Sequence, residues 1–195
     1  MEGRVTSQWW ALVLLLCLLS ETPAGAQEGD APIDIGSRRE LFVDGFLVQT
    51  LEGEARQILQ RPVPREVVLV CDQPWEGNGV NYVTVFQDGD VYRMYYRGGD
   101  YAFGLEPTHP QTYCYAESRD GIHWKRPQVG LVEFAGSKQN NIVISEKQFG
   151  YVAHNFSPFV DTRPGVPANE RFKAIGGGPL EVLASGDGRK WRKMG

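Results

Sequence analysis

The sequence predicts an all-β chain built from repeated four-stranded antiparallel units. A motif recurs at a fixed offset, short β-rich runs alternate with turn signals, and no long apolar stripe of helical period follows residue 30. The motif reads S-x-D-G-x-x-W. It stands as Ser118-Arg119-Asp120-Gly121-Ile122-His123-Trp124 and again, 67 residues later, as Ser185-Gly186-Asp187-Gly188-Arg189-Lys190-Trp191. Its surroundings repeat too. Val91-Tyr92-Arg93-Met94-Tyr95-Tyr96-Arg97-Gly98 precedes the first copy, and Arg171-Phe172-Lys173-Ala174-Ile175-Gly176-Gly177 precedes the second. Four antiparallel strands per repeat at this period is the pattern of a β-propeller blade.

Residues 1–26 read as a signal peptide. Arg4 precedes an apolar run, Trp9-Trp10-Ala11-Leu12-Val13-Leu14-Leu15-Leu16-Cys17-Leu18-Leu19, and Ala24-Gly25-Ala26 is a small-residue cleavage site. The run is shorter than the roughly 20 residues of a spanning helix. A secreted or periplasmic location follows, with no membrane span after signal removal. The mature chain then carries 19 basic and 22 acidic residues, a net charge of −3. That near-neutral balance argues against a nucleic-acid partner.

Residues 39–48, containing Leu41-Phe42-Val43-Asp44-Gly45-Phe46-Leu47-Val48, are expected to form an N-terminal strand. Residues 49–78 hold Pro62, Pro64 and Pro74 and read as a loop with a short strand at 67–70. Blade one spans about 80–126. Its strands are expected at 80–86, 91–97 and 112–117, with a fourth near 123–126. Blade two spans about 155–195, with strands at 155–160, 171–175, 180–184 and from 190. Four units at this offset exceed the 195 residues, so residues 27–195 are expected to hold about two blades of a probable five, as a truncated N-terminal portion.

The repeated turn has a structural task. Its aspartate accepts backbone N–H groups, its glycine takes a φ that other residues adopt at a cost, and its tryptophan covers an apolar edge between sheets. Two cysteines remain after signal removal, Cys71 and Cys114, either as a disulfide of an exported chain or as two buried thiols. His109, His123 and His154 are scattered, so no metal and no cofactor is expected.

In a blade, ligands meet the lead-in to the first strand and the loop between the second and third. Those segments hold Trp75, Asn78, Asn81, Arg97, Asp100 and Tyr101 in unit one, and His154 and Asn155 in unit two. Aromatic faces stack on sugar rings, and polar groups read hydroxyls, so a carbohydrate partner is expected.

The frame Pro74-Trp75-Glu76, Asn81-Tyr82-Val83, Asp88-Gly89-Asp90-Val91-Tyr92-Arg93-Met94-Tyr95-Tyr96 and Ala116-Glu117-Ser118-Arg119-Asp120-Gly121-Ile122-His123-Trp124 resembles the five-bladed propellers of glycoside hydrolase families 32 and 43. Glu40-Leu41-Phe42-Val43-Asp44 is similar to the start of secreted family-32-like proteins. The resemblance implies a pair of carboxylates astride a glycosidic bond. The first two acid positions it implies fall at Asn81 and Ser157, and the third lies beyond Gly195. The nearest acids are Glu76 and Asp161, which become the candidate catalytic residues. Three functions are therefore weighed: a glycoside hydrolase-like enzyme, a non-catalytic carbohydrate-binding propeller, and a surface interaction scaffold.

Overall fold

The computed structural model describes residues 32–100 and 109–195. The expected signal segment 1–26 and Tyr101 lie outside the described residues. The chain divides into two units, residues 1–62 and 63–195.

In the first unit the expected strand at 39–48 does not form. The segment runs as bends, and Leu41, Phe42, Val43 and Phe46 are exposed. The Asp44 side chain accepts the Phe46 N–H at 2.9 Å. This local bond offers the backbone an alternative to a ladder. A β-rich run without a strand to pair with gains no sheet.

The second unit carries the repeats. β1 (Asn81–Asp88), β2 (Val91–Gly98), β3 (Thr112–Ser118) and β4 (Ile142–Ser145) form one antiparallel sheet in that order. Two one-turn helices, α1 (Glu146–Phe149) and α2 (Val152–Asn155), lead to the second sheet. It comprises β5 (Ser157–Val160), β6 (Phe172–Gly176), β7 (Glu181–Ser185) and β8 (Arg192–Lys193). The all-β reading therefore holds. The expected short strand at 67–70 does not pair. Leu69 instead packs on the outer face of the first sheet. Among the described residues no helix is long and apolar enough to cross a membrane.

The fourth strand of the first sheet needs a correction. It was expected near 123–126, but only Lys125 bridges to Glu117 there. Pro127 follows two residues later and has no N–H to donate. The chain leaves the sheet and returns as β4, where Tyr113 pairs with Ile144 and Cys114 with Ile142. In the second sheet the equivalent lane is filled at once, since Ala184 pairs with Arg192 directly after the turn.

Both motif copies fold alike. Asp120 Oδ1 accepts the N–H groups of Ile122 (2.9 Å) and His123 (2.8 Å), and Trp124 Nε1 donates to Gly121 O at 2.9 Å. Asp187 Oδ1 accepts Arg189 and Lys190, both at 2.8 Å, and Trp191 Nε1 donates to Gly188 O at 3.1 Å. Ser118 and Ser185 each bond their aspartate.

Side chains alternate across each strand, which separates two faces. Tyr95 and Tyr115 are register partners on the face turned to the second sheet. There they join Phe156, Phe172, Leu183 and Trp191 in one buried cluster. The opposite face presents Met94, Tyr96, Cys114 and Ala116, covered by Leu69, Cys71, Trp75 and Val132. Cys71 and Cys114 are free thiols, and burial pushes both thiol pKa values up. Each fully buried large side chain stabilises the fold by roughly 1.5–3 kcal/mol.

Polar contacts lock the two sheets together. Tyr95 Oη donates to Gly188 O at 2.8 Å, and Arg93 Nη1 donates to Asp187 O at 2.9 Å. Asp88 takes Arg93 from its own sheet and Arg171 from the facing one, and these bonds hold its carboxyl below the usual range.

Gly188 has φ +73, and a Cβ there would lie 2.7 Å from Tyr95 Oη. Gly188→Ala is expected to destabilise the chain by about 1–3 kcal/mol, through a left-handed φ and loss of the close approach. Thermal unfolding checks this. An unchanged melting temperature would mean that the turn does not sit against Tyr95.

Candidate functional site

The starts of β1 and β5 lie at one end of the two sheets, where aromatic and cationic side chains converge. Between Asn81 and Thr84 the register of β1 shifts, and Tyr82 takes φ 49. A left-handed tyrosine is costly, and such strain marks sites held by their surroundings. The shift turns Tyr82 outward, so its ring is half exposed. Arg97, the register partner of Asn81 on β2, places its guanidinium 4.7 Å from the Tyr82 ring centre. Arg97 is buried along its whole length, guanidinium included, beside Tyr113, its partner on β3.

α2 brings His154 to the same place. Arg97 Nη1 donates to His154 Nδ1 at 2.8 Å and to His154 O at 3.1 Å. The Gln111 Oε1 lies 3.1 Å from the same ring nitrogen. Tyr151 stacks on the imidazole at 4.8 Å, and the Tyr82 ring lies tilted to it at 5.6 Å. Desolvation first, and the Arg97 charge second, push the His154 pKa below its ordinary value. The neutral ring then accepts at Nδ1 and offers Nε2–H. The cluster thus joins two exposed tyrosine rings and a neutral imidazole over a buried cation.

Of the residues expected from sequence, Arg97 and His154 meet directly, and Asn81 sits opposite Arg97. Asn155 stands beside His154, but its Oδ1 accepts the Gly177 N–H at 2.6 Å and holds a turn. Asn78 and Asp100 lie in the neighbouring segments that precede β1 and follow β2. Gln111 was not anticipated, and no sequence signal marked it. Tyr82 and Tyr151 stood in the right segments but were not chosen. A tyrosine in a β-run reads as core until a register shift exposes it.

Trp75 and Glu76 serve a different place. Gly77 has φ +66, and a Cβ there would lie 2.4 Å from Gly99 O. That approach lets Gly99 N donate to Glu76 O at 3.1 Å and Gly79 N to Gly99 O at 3.0 Å. Glu76 is thereby buried under the outer face of the first sheet. Its carboxylate accepts Tyr96 Oη (2.5 Å), Arg126 Nε (2.8 Å), Arg126 Nη2 (3.1 Å) and the Gln73 N–H (2.9 Å). Both oxygens are engaged, and the group braces the 63–80 segment. Trp75 Nε1 donates to Asn141 Oδ1 at 2.6 Å, and its ring packs on the cluster around Met94 and Tyr96.

Asp161 lies just past the far end of β5 from Ser157. Arg163 grips both its oxygens at 2.9 and 2.7 Å and holds its pKa down to about 2. Lys173 approaches to 4.0 Å. Glu76 and Asp161 therefore stand apart from the Arg97–His154 cluster and from each other. Among the described residues no group of three or more His, Cys, Asp or Glu side chains is placed to hold a metal ion.

No family model matches the chain, and no solved structure matches it. It is similar to two uncharacterized proteins from two strains of Mycobacterium tuberculosis. Each is 40% identical over 59 residues, covering 30% of this chain. The match spans about a fifth (19%) of the length of those curated relatives.

Glu76→Gln is expected to lower stability by roughly 3 kcal/mol, the lower end for breaking a buried pair, because Arg126 keeps some solvent contact. Denaturant unfolding measures it, and a loss below the error of the curve would assign Glu76 a role other than bracing. In a proton NMR titration the His154 ring is expected to change charge below the ordinary imidazole value of about 6.5. Arg97→Gln should move that midpoint up. A midpoint insensitive to Arg97 would place the guanidinium away from the ring.

Proposed function

We propose that the two sheets are consecutive blades of a β-propeller of an exported protein, and that the end bearing Tyr82, Arg97, Tyr151 and His154 binds a carbohydrate. The observation that carries this reading is the strained, outward-turned Tyr82 beneath Arg97 and beside a tyrosine-stacked imidazole. Rings of this kind offer flat faces to a sugar, while the imidazole Nε2–H donates to a hydroxyl. β1 also runs beside β5, as the innermost strands of neighbouring blades do around a channel.

Binding is favoured over cleavage. Glycosidic hydrolysis needs two carboxylates on either side of the bond. Asn81 and Ser157 stand at the two positions that resemblance would fill with acids, and neither can exchange a proton as an acid would near neutral pH. Glu76 is enclosed by four donors, and Asp161 is held by Arg163 away from the cluster.

The test is retention on a panel of plant and algal polysaccharides, with sugar release followed in the same reactions. Retention without release is expected. Tyr82→Ala should weaken it by about 1–3 kcal/mol, by analogy with stacking of bases on aromatic side chains. Release of sugar would replace the binding reading with a glycosidase. Retention indifferent to Tyr82→Ala would put the ligand elsewhere, and neither retention nor release would leave an interaction scaffold.

A further inference from the structure

His154 Nδ1 lies between two partners that make opposite demands on it. Arg97 Nη1 stands 2.8 Å away and Gln111 Oε1 stands 3.1 Å away. A guanidinium only donates, and an amide oxygen only accepts. The ring nitrogen satisfies Arg97 with a lone pair or Gln111 with an N–H, never both at once. Which bond forms is set by whether Nδ1 carries a proton. Both partners are fixed from elsewhere. Arg97 is buried and also donates to His154 O at 3.1 Å. The Gln111 N–H donates to Glu146 Oε2 at 3.1 Å, and Gln111 O accepts the Glu146 N–H at 3.1 Å.

The charged and titratable groups around the ring come from several elements. Arg97 and Tyr113 stand on β2 and β3, Tyr82 on β1, Glu146 on α1, and Tyr151 between the helices. Asp100 lies in the segment after β2. β6 meets α2 through Gly176, packed on Val152, while its Lys173 is bonded to Glu170 at 3.0 Å. Glu146 and the stacked Tyr151 ring favour a charged imidazole. Burial and the Arg97 charge oppose it. They prevail because Arg97 touches the ring directly, whereas Glu146 is bonded to it only through Gln111. Protonation therefore weakens the folded arrangement. It is intact above the ordinary imidazole value of about 6.5 and is lost as the pH falls below it.

We propose that His154 Nδ1 is a proton-driven toggle between Arg97 and Gln111, and that uptake of a proton from solvent releases the sugar bound at this end. The release rests on the carbohydrate reading above, whereas the toggle stands without it. In the neutral state Arg97 holds the Nδ1 lone pair, which fixes the tautomer bearing Nε2–H and leaves that donor for a sugar hydroxyl. Protonation removes the lone pair and sets a second cation 2.8 Å from a buried one. The new Nδ1–H turns to Gln111 Oε1, which already stands within reach. A ring that leaves Arg97 carries Nε2–H away from its place beside Tyr82 and Tyr151. The ligand then loses a hydrogen bond and the aligned flat faces together. Because the sugar needs the neutral state, binding and protonation oppose each other.

Nitrogen-15 NMR of the histidine rings in the full chain reads the toggle without any sugar, since each ring nitrogen's shift reports whether it carries a proton. His154 is the signal that His154→Gln removes. Should that variant not fold, His109→Gln and His123→Gln identify His154 by elimination. Near neutral pH its Nδ1 should be unprotonated, and it should take up a proton between about pH 5 and pH 8. Gln111→Leu should move the midpoint further down, because it removes the acceptor of the protonated form. A midpoint that stays or moves up in that variant overturns the toggle. So does a protonated Nδ1 at neutral pH in the unaltered chain, which needs no variant to fold. Polysaccharide retention is then followed over the same pH range. It should fall about tenfold for each pH unit below the midpoint, as for a ligand excluded by one proton. In His154→Gln the ratio of acid to neutral retention should be near one. Retention indifferent to pH beside a working toggle overturns the release. No retention at any pH overturns the carbohydrate reading and the release with it, and the ring titration still decides the toggle.

Discussion

The contact between the second S-x-D-G turn and the first sheet organises the molecule. Tyr95 and Arg93 reach across to the carbonyls of Gly188 and Asp187, and those carbonyls face outward only because the aspartate has gathered the neighbouring N–H groups inward. A buried tyrosine hydroxyl without that partner would cost on the order of 1–3 kcal/mol. The same turn sets Trp191 against Tyr95 and Phe156, with ring centres 6.4 and 4.9 Å apart. One seven-residue sequence therefore contributes both polar and apolar bonding between the sheets, beside the Asp88–Arg171 pair and the Phe86–Phe172 contact.

From this seam follows the geometry of the candidate site. The seam fixes the two sheets face to face, which brings the start of β1 beside the start of β5. Arg97 and His154, far apart in sequence, then meet at 2.8 Å. Burial first, and the Arg97 charge second, favour the neutral imidazole there, with two tyrosine rings in contact with it. The register shift in β1 completes the arrangement by turning Tyr82 out of the sheet. Without the shift, side-chain alternation would send that ring to a different face.

Acidic residues illustrate how burial overrides position. Glu76 stands close in sequence to the start of β1, which made it a candidate acid. The approach of Gly77 to Gly99 instead folds it beneath the sheet, where Arg126 and Tyr96 saturate it. Asp161 follows the β5 strand, yet it is a register twin of Asp88 and does the same electrostatic work, holding cations at a sheet face.

The sequence by itself determined the repeat, the all-β class, the two turn motifs and the bounds of most strands of the second unit. Those features are local. They depend on turn residues and two-residue alternation, which a reader can see in consecutive letters. The tertiary structure alone decided the rest. Leu41 to Val48 looks like a strand but finds no partner, and pairing is not a property of the segment. The fourth lane of the first sheet is shared between Lys125 and a strand 17 residues later, because Pro127 diverts the chain and only the open edge of β3 draws it back. Gln111 joins the site, and Trp75 and Glu76 leave it, through contacts spanning tens of residues. Hydrogen bonding and burial at that range depend on which surfaces meet, and no spacing along the chain encodes it.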